Sequence, residues 1–242
     1  MRVRAVGLLL LSLLAGCAVH PGFRSIGAKG PEEALRVLID RRTSINRFTA
    51  RAVLTCSAPI GEITLKSRIT SDASNGWLME LTGPMRVRLA VIRTEGDRYS
   101  LWAPQSGFSM QGSLDDPLGL PGLGFDLPRL SLFLQWLMPT ADLTDDWRVE
   151  DAGTGEEGWL LLARPAAAGE DHLRLKMDYR PVKVWEEEWS PADGTSYRRR
   201  FTYRKSGRLI PKSIEVSTNG FNLKIIYKSI KIELTERTSS TG

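Results

Sequence analysis

The side chains suited to proton transfer are few. There are two histidines, His20 and His172, and the second directly follows Asp171. A His–Asp pair does hydrolytic work only beside a nucleophile, and neither a serine elbow nor a zinc-spaced set of ligands accompanies this one, so His172 reads as a surface residue. The second group is Glu186-Glu187-Glu188, set between Trp185 and Trp189. Paired carboxylates beside aromatic rings would suit glycoside chemistry. Alternate residues of a strand face opposite sides, however, so Glu187 shares a face with Trp185 and Trp189 while Glu186 and Glu188 share the other. That pattern favours a solvated strand face. Cys56, in Ala52-Val53-Leu54-Thr55-Cys56, has no basic neighbour in sequence to hold a thiolate and reads as a small apolar core residue. Nothing here points to an enzyme, a metal or a cofactor.

The remaining cysteine sits in a different setting. Arg2 and Arg4 precede a nearly unbroken apolar run, Ala5 to Leu14, which ends in the small residues Ala15 and Gly16 before Cys17. A basic start, a short apolar run and small residues at its end are the build of a secretory signal, and about ten apolar residues is roughly half of a membrane-spanning helix. Leu14-Ala15-Gly16-Cys17 resembles the bacterial lipoprotein signal, in which the cysteine thiol is acylated and the chain is cleaved just before it. By that resemblance residues 1–16 are a signal peptide and Cys17 is the lipidated first residue of the mature chain. Ala18, rather than Asp, resembles the outer-membrane address in bacteria that use that sorting rule.

Composition narrows the partners. The formal charge is +5, and losing residues 1–16 leaves +3, a mild excess spread along the chain. The densest basic cluster, Arg198-Arg199-Arg200 between Tyr197 and Phe201, fits the outer face of a strand, and with a secreted address it gives no case for nucleic acid. A lipidated Cys17 would leave Cys56 without a partner, so no disulfide framework is available.

The elements that position these residues follow from periodicity. Residues 17–30 carry the lipidated cysteine and read as a flexible tether. Pro31 to Ser44 has helical spacing, with a proline and two acids in its first turn. From Phe48 the period becomes two, and it recurs through Trp77 to Leu81, Val87 to Val91 and at least six later segments as far as Leu234, joined by short turns that favour antiparallel pairing. The segment Asp126 to Pro139 reads as a second short helix, capped by Asp126, started by Pro128 and stopped by Pro139. Apolar residues nearly encircle it, so it must be covered on most sides or lie against an apolar space. Residues 31–234 thus form one mainly β domain, a curved antiparallel sheet that closes over a short central helix, with an N-terminal helix before it. The tail, 235–242, is polar.

Three stretches give this chain a resemblance to the LolA/LolB-like superfamily, and within it to the outer-membrane lipoprotein receptors: Leu81-Thr82-Gly83-Pro84-Met85; Gly124-Phe125-Asp126-Leu127-Pro128 with Leu130, Leu134, Trp136, Leu137 and Pro139; and Phe201 to Tyr227. The chain departs from the family pattern at Arg86, where the family has glycine, and in a longer 140–190 region. The resemblance implies an incomplete antiparallel barrel with a short central lid helix, enclosing an apolar cavity that takes lipid acyl chains or those of a lipoprotein cargo. Leu130, Phe133, Leu134 and Leu137 are core residues in either case and, with Trp77 and Met79, are the candidates to line it. It implies a periplasmic LolA-like carrier as partner and a lipid-anchored place in the cell envelope, on the periplasmic face of the outer membrane. Met85, an apolar residue on a turn, is expected either to insert into membrane or cargo or to tuck into the core. Two other readings stay open: an assembly lipoprotein that binds a protein partner through a sheet edge, and a carbohydrate binder using the seven tryptophans.

Overall fold

The computed structural model describes residues 23, 25–59, 61–73, 76–118, 127–153, 158–192, 194, 196–204 and 209–235. The signal segment, Cys17, Asp126 and the polar tail after Thr235 lie outside the described residues.

Helix α1 (Pro31–Thr43) begins as its sequence dictates. Pro31 occupies the first turn, Glu32 and Glu33 meet the positive helix end, Arg41 and Arg42 meet the negative one, and the Lys29 amide donates to Glu33 Oε2 at 2.7 Å. Its buried residues, Ala34, Leu35, Val37 and Leu38, form one stripe against the sheet.

The strands are β1 (Ile45–Ala58), β2 (Gly61–Asp72), β3 (Gly76–Thr82), β4 (Arg88–Glu95), β5 (Arg98–Ala103), β6 (Phe108–Ser113), β7 (Pro117–Leu118), β8 (Leu127–Arg129), β9 (Arg148–Gly153), β10 (Gly158–Ala166), β11 (Gly169–Tyr179), β12 (Val182–Ser190), β13 (Tyr197–Tyr203), β14 (Pro211–Thr218) and β15 (Asn222–Leu234). All but β7 and β8 form a single antiparallel sheet of thirteen strands in the order β6-β5-β4-β3-β2-β1-β15-β14-β13-β12-β11-β10-β9. The long strands β1 and β15 meet at its centre, an N-terminal arm runs to β6 and a C-terminal arm to β9. Among the described residues the two edges pair with no further strand of this sheet, so the barrel is incomplete.

Cross-strand register builds the core. Ala50, Ile69, Met79, Ile92 and Leu101 lie opposite one another across five strands, and each is nearly or fully buried. Leu160 and Leu175 on β10 and β11 make the same inner surface on the other arm. Helix α2 (Leu130–Trp136) lies against this surface with Leu130, Leu134 and Trp136 buried, and the chain beyond it stays buried through Leu137, Met138, Ala141 and Leu143.

Two expectations change. Helix α2 starts at Leu130 and not at Pro128, because Leu127–Arg129 is extended and pairs with β7, in keeping with the extended bias of a residue before proline. The exposed Ser131 amide is satisfied by the Leu114 carbonyl at 3.0 Å, while the Ser131 hydroxyl donates to Asp115 Oδ1. The tether is also shorter than 17–30. Ala28 donates to the Tyr179 carbonyl at 2.9 Å, the Val182 amide donates to Ile26 at 3.0 Å, and Ala28 is buried, since the β11–β12 turn offers backbone groups that residues 26–28 can pair.

Candidate functional site

The connection between β3 and β4 is a single 3-10 turn, Pro84–Arg86, closed by the Gly83 amide donating to Val87 at 2.9 Å and the Val87 amide donating to Pro84 at 3.3 Å. The Leu89 side chain folds over Gly83: a Cβ there would lie 2.8 Å from Leu89 Cδ1 and would displace that exposed side chain. Met85 is at the apex and is 92% exposed. Its φ is +55°, and that of Arg86 is +61°, so two consecutive non-glycine residues hold the left-handed conformation. The glycine that the family pattern has at position 86 would carry that geometry without strain; here an arginine does so at a cost of order 1 kcal/mol. The core reading of Met85 is thereby removed. An exposed methionine on a strained, hydrogen-bonded turn is held out of the core by backbone geometry.

The sheet face below this turn is apolar and incompletely covered. Leu81 and Ala90, directly opposite each other on β3 and β4, are half-buried, as are Leu65 and Phe108, and Ile63 and Leu89 are exposed. Of the proposed lining residues, Leu130, Leu137 and Met79 have no accessible surface, Leu134 has almost none, and Trp77 and Phe133 are half-buried against the core. Trp77 meets Phe48 edge-on at 6.4 Å, and Phe48 meets Tyr227 at 6.5 Å, which carries the aromatic packing from β3 to the centre of the sheet. All six residues belong to one continuous packed core. At Leu130, Leu137 and Met79, side chains fill the space beneath the helix. A cavity of about 20 Å³, room for one water, lies beside α1 and is lined by Leu38, Arg41, Thr140, Lys183, Phe201 and Tyr203 among others.

The C-terminal end of α2 is fixed by a group that the sequence reading placed elsewhere. Arg199, in the cluster expected on an outer strand face, is fully buried, while its neighbours Arg198 and Arg200 point to solvent. Its guanidinium donates to Glu187 Oε2 at 2.7 Å and to the carbonyls of Gln135 at 2.8 Å and Thr140 at 3.0 Å. Tyr197 donates to Glu187 Oε1 at 2.8 Å, and Tyr227 donates to the Leu137 carbonyl at 2.6 Å. Carbonyls at and just beyond the helix end are thus satisfied by side chains from two strands, β13 and β15. Burial opposes the charge on Arg199, but Glu187 and Tyr197 outweigh it and push its pKa up. Burial, reinforced by Glu187, pushes the Tyr197 phenol well above its usual value. Trp136 packs between Tyr197 and Phe221, with ring centres 5.4 and 5.7 Å away. The signal was available in parity: Arg199 alternates with Tyr197 and Phe201 on one face, as Glu187 does with Trp189.

The other chemistry-bearing residues are structural. A bulge after Lys176 places Trp185 out of step, so Glu187 shares the inner face with Trp189 and not with Trp185, which packs on Tyr203 with ring centres 5.3 Å apart. Glu186 and Glu188 are ion-paired with Arg198 and Arg200 on the outer face. His172 is partly exposed, with Nδ1 3.3 Å from Glu150, and Asp171 pairs instead with Arg164 at 3.0 Å. Burial pushes the Cys56 thiol up, which makes it a poor nucleophile. Among the described residues no group of acids, histidines and cysteines is arranged to hold a metal ion.

The architecture has counterparts among solved structures. It is similar to a LolA superfamily protein from Nitrosomonas europaea, with a TM-score of 0.57 and 15% identity over 85% of this chain and 94% of that one. The chain has a LolA/LolB-like fold. Two further structures share it at a TM-score of 0.57 and 10% identity: a domain assigned to outer-membrane lipoprotein sorting from Vibrio parahaemolyticus, covering 84% of this chain and 93% of that one, and a DUF1329 family protein from Desulfovibrio piger, covering 82% and 90%. No family model matches the chain, and no curated protein does. On the LolA/LolB-like frame the Met85 turn and the open apolar face lie on the N-terminal arm, and the Arg199 group lies on the C-terminal arm. Among the described residues no helix is long and apolar enough to cross a membrane.

Proposed function

We propose that this protein is a non-enzymatic, lipid-anchored envelope protein that takes up acyl chains on its concave face and helps receive or insert lipoproteins or lipids at the periplasmic face of the outer membrane. The observation that carries the reading is Met85: an apolar side chain 92% exposed on a turn whose backbone pays strain to present it, above an apolar face left half-covered at the same end of the sheet. Each methylene moved from water to an apolar site is worth about 0.8 kcal/mol, so a single acyl chain is held firmly without covalent chemistry. Uptake at Leu130 and Met79 requires the N-terminal part of α2 to move off the sheet, since side chains occupy that space, and Leu137 stays tied at the other end, whereas Leu65, Leu81 and Phe108 offer surface without such a movement. Cargo would arrive from a periplasmic LolA-like carrier and pass on by difference in affinity. Cys17 is the anchor, and its tether ends before Phe23, which packs against the core ahead of the docked residues 26–28.

Met85→Glu tests the reading. The side chain is in solvent, so the melting temperature is expected to stay within error of the wild type, while transfer of a lipoprotein to liposomes falls. A variant that is stable and transfers normally removes Met85 from the function.

A further inference from the structure

The outward faces of the two arms carry charge differently. On the C-terminal arm the sign alternates from strand to strand. Arg174 faces Glu188, which faces Arg198; Lys176 faces Glu186, then Arg200, Glu215 and Lys224. Arg198 and Arg200 are ion-paired with Glu186 and Glu188, and Lys224 with Glu215 at 2.6 Å. Every acid in these rows lies between two cations, and no two like charges lie directly opposite each other.

The N-terminal arm does not. Three consecutive outward rows read Val53–Lys66–Thr82–Arg88, Arg51–Arg68–Glu80–Val91–Trp102 and Thr49–Thr70–Leu78–Arg93–Ser100. They hold five cations and one acid. Glu80 already serves two of the cations, Arg88 at 3.4 Å and Arg68 at 4.0 Å. Arg51 lies directly opposite Arg68, a like-charge pair that costs a sheet stability, and among the described residues no carboxylate lies within ion-pair distance of Arg51, Lys66 or Arg93. The same surface exposes Trp102 (50%) and Leu78 (43%). Basic side chains around a half-exposed tryptophan and leucine are the composition of a surface that lies on lipid headgroups, where the cations meet phosphate and the indole sits at the boundary.

We infer that the convex face of β1–β5 docks on an anionic phospholipid surface. It is a second membrane contact, separate from Cys17 and from the Met85 turn, and it turns the N-terminal arm toward the bilayer. The inference does not rest on acyl-chain uptake, because the face is on the opposite side of the sheet from the concave surface.

The test uses the full chain carrying Cys17→Ala, so that no acyl group tethers it, with vesicles of phosphatidylcholine alone or mixed with phosphatidylglycerol. The expected result is preferential, salt-sensitive binding to the mixed vesicles. Near such a surface each cation contributes about a factor of five, so Arg51→Gln with Arg93→Gln is expected to lower binding to mixed vesicles by about 30-fold. Binding to neutral vesicles is expected to stay unchanged and the melting temperature not to fall, since the Arg51–Arg68 repulsion is relieved. Arg51→Lys with Arg93→Lys is expected to restore the affinity, and Trp102→Ala to weaken binding by a smaller factor. Undiminished binding of the double glutamine variant overturns the inference and leaves the basic face to an acidic protein. An equal loss from Arg198→Gln with Arg200→Gln on the other arm overturns it as well. Lipoprotein transfer is not part of this readout, so failure here and failure of the proposed function are told apart.

Discussion

The two arms of the sheet are built by the same alternation and used differently. On the C-terminal arm the inner face is closed: Leu160, Leu162, Leu175, Met177 and Val182 have no accessible surface, and the end of α2 is tied down by Arg199 and Tyr227. The N-terminal arm keeps one fully buried row, Ile69 to Leu101, and above it leaves Leu65, Leu81, Ala90 and Phe108 half-covered. Five of the six large apolar side chains that are exposed among the described residues, Ile63, Leu78, Met85, Leu89 and Trp102, are on this arm. The difference teaches a division of labour. One arm stores the stability, and the other holds surface that would be costly to leave in water unless something else covers it.

The comparison is broken most severely at Arg199. Arg199→Met leaves the buried Glu187 carboxylate without its cation and takes one donor each from the Gln135 and Thr140 carbonyls, and it is expected to cost about 3–5 kcal/mol, read as a lower denaturation midpoint. Replacing Glu187 at the same time, by leucine, is expected to recover a good part of that loss, because the uncompensated charge is gone. A double variant no more stable than the single one would mean that the carbonyl contacts, and not the ion pair, carry the effect.

Paired truncations sharpen it. Leu162→Ala, in the closed core, is expected to cost about 2–5 kcal/mol, whereas Leu81→Ala, at the half-open face, is expected to cost less than half as much, because less area leaves water on folding. Equal losses in urea melts would show that the face is covered in solution as fully as the core. The smallest effect is at the turn: Arg86→Gly relieves a left-handed arginine and is expected to stabilise by about 1 kcal/mol or slightly less, after the entropy that glycine adds to the unfolded chain. A destabilised variant would mean that Arg86 earns its strain through contacts of its own.

Much of this was legible in advance. Period-two patterning located nearly every strand, the proline and acids at Pro31 to Glu33 marked the start of α1, and an apolar residue after Gly83-Pro84 singled out Met85. The onset of α2 was misread because the Leu127–Pro128 stretch finds a strand partner, β7, that no local signal announces. The docking of residues 26–28 has the same cause, since their partners are at Tyr179 and Val182, about 150 positions away in the chain.

The sequence by itself therefore determined the kind of element at each place and which residues share a face, since these follow from a backbone repeat of two or 3.6 residues. Which face turns inward, and what lies across from it, was decided by tertiary structure. Arg199 and Arg200 are adjacent and chemically identical, yet one is sealed against Glu187 and the end of α2 while the other pairs with Glu186 in solvent. Arg51 meets Arg68 because β1 and β2 close a hairpin in one register and not the next. A shift of one residue exchanges the faces, and that choice is made by the burial of the whole inner row at once, not by any single residue in it.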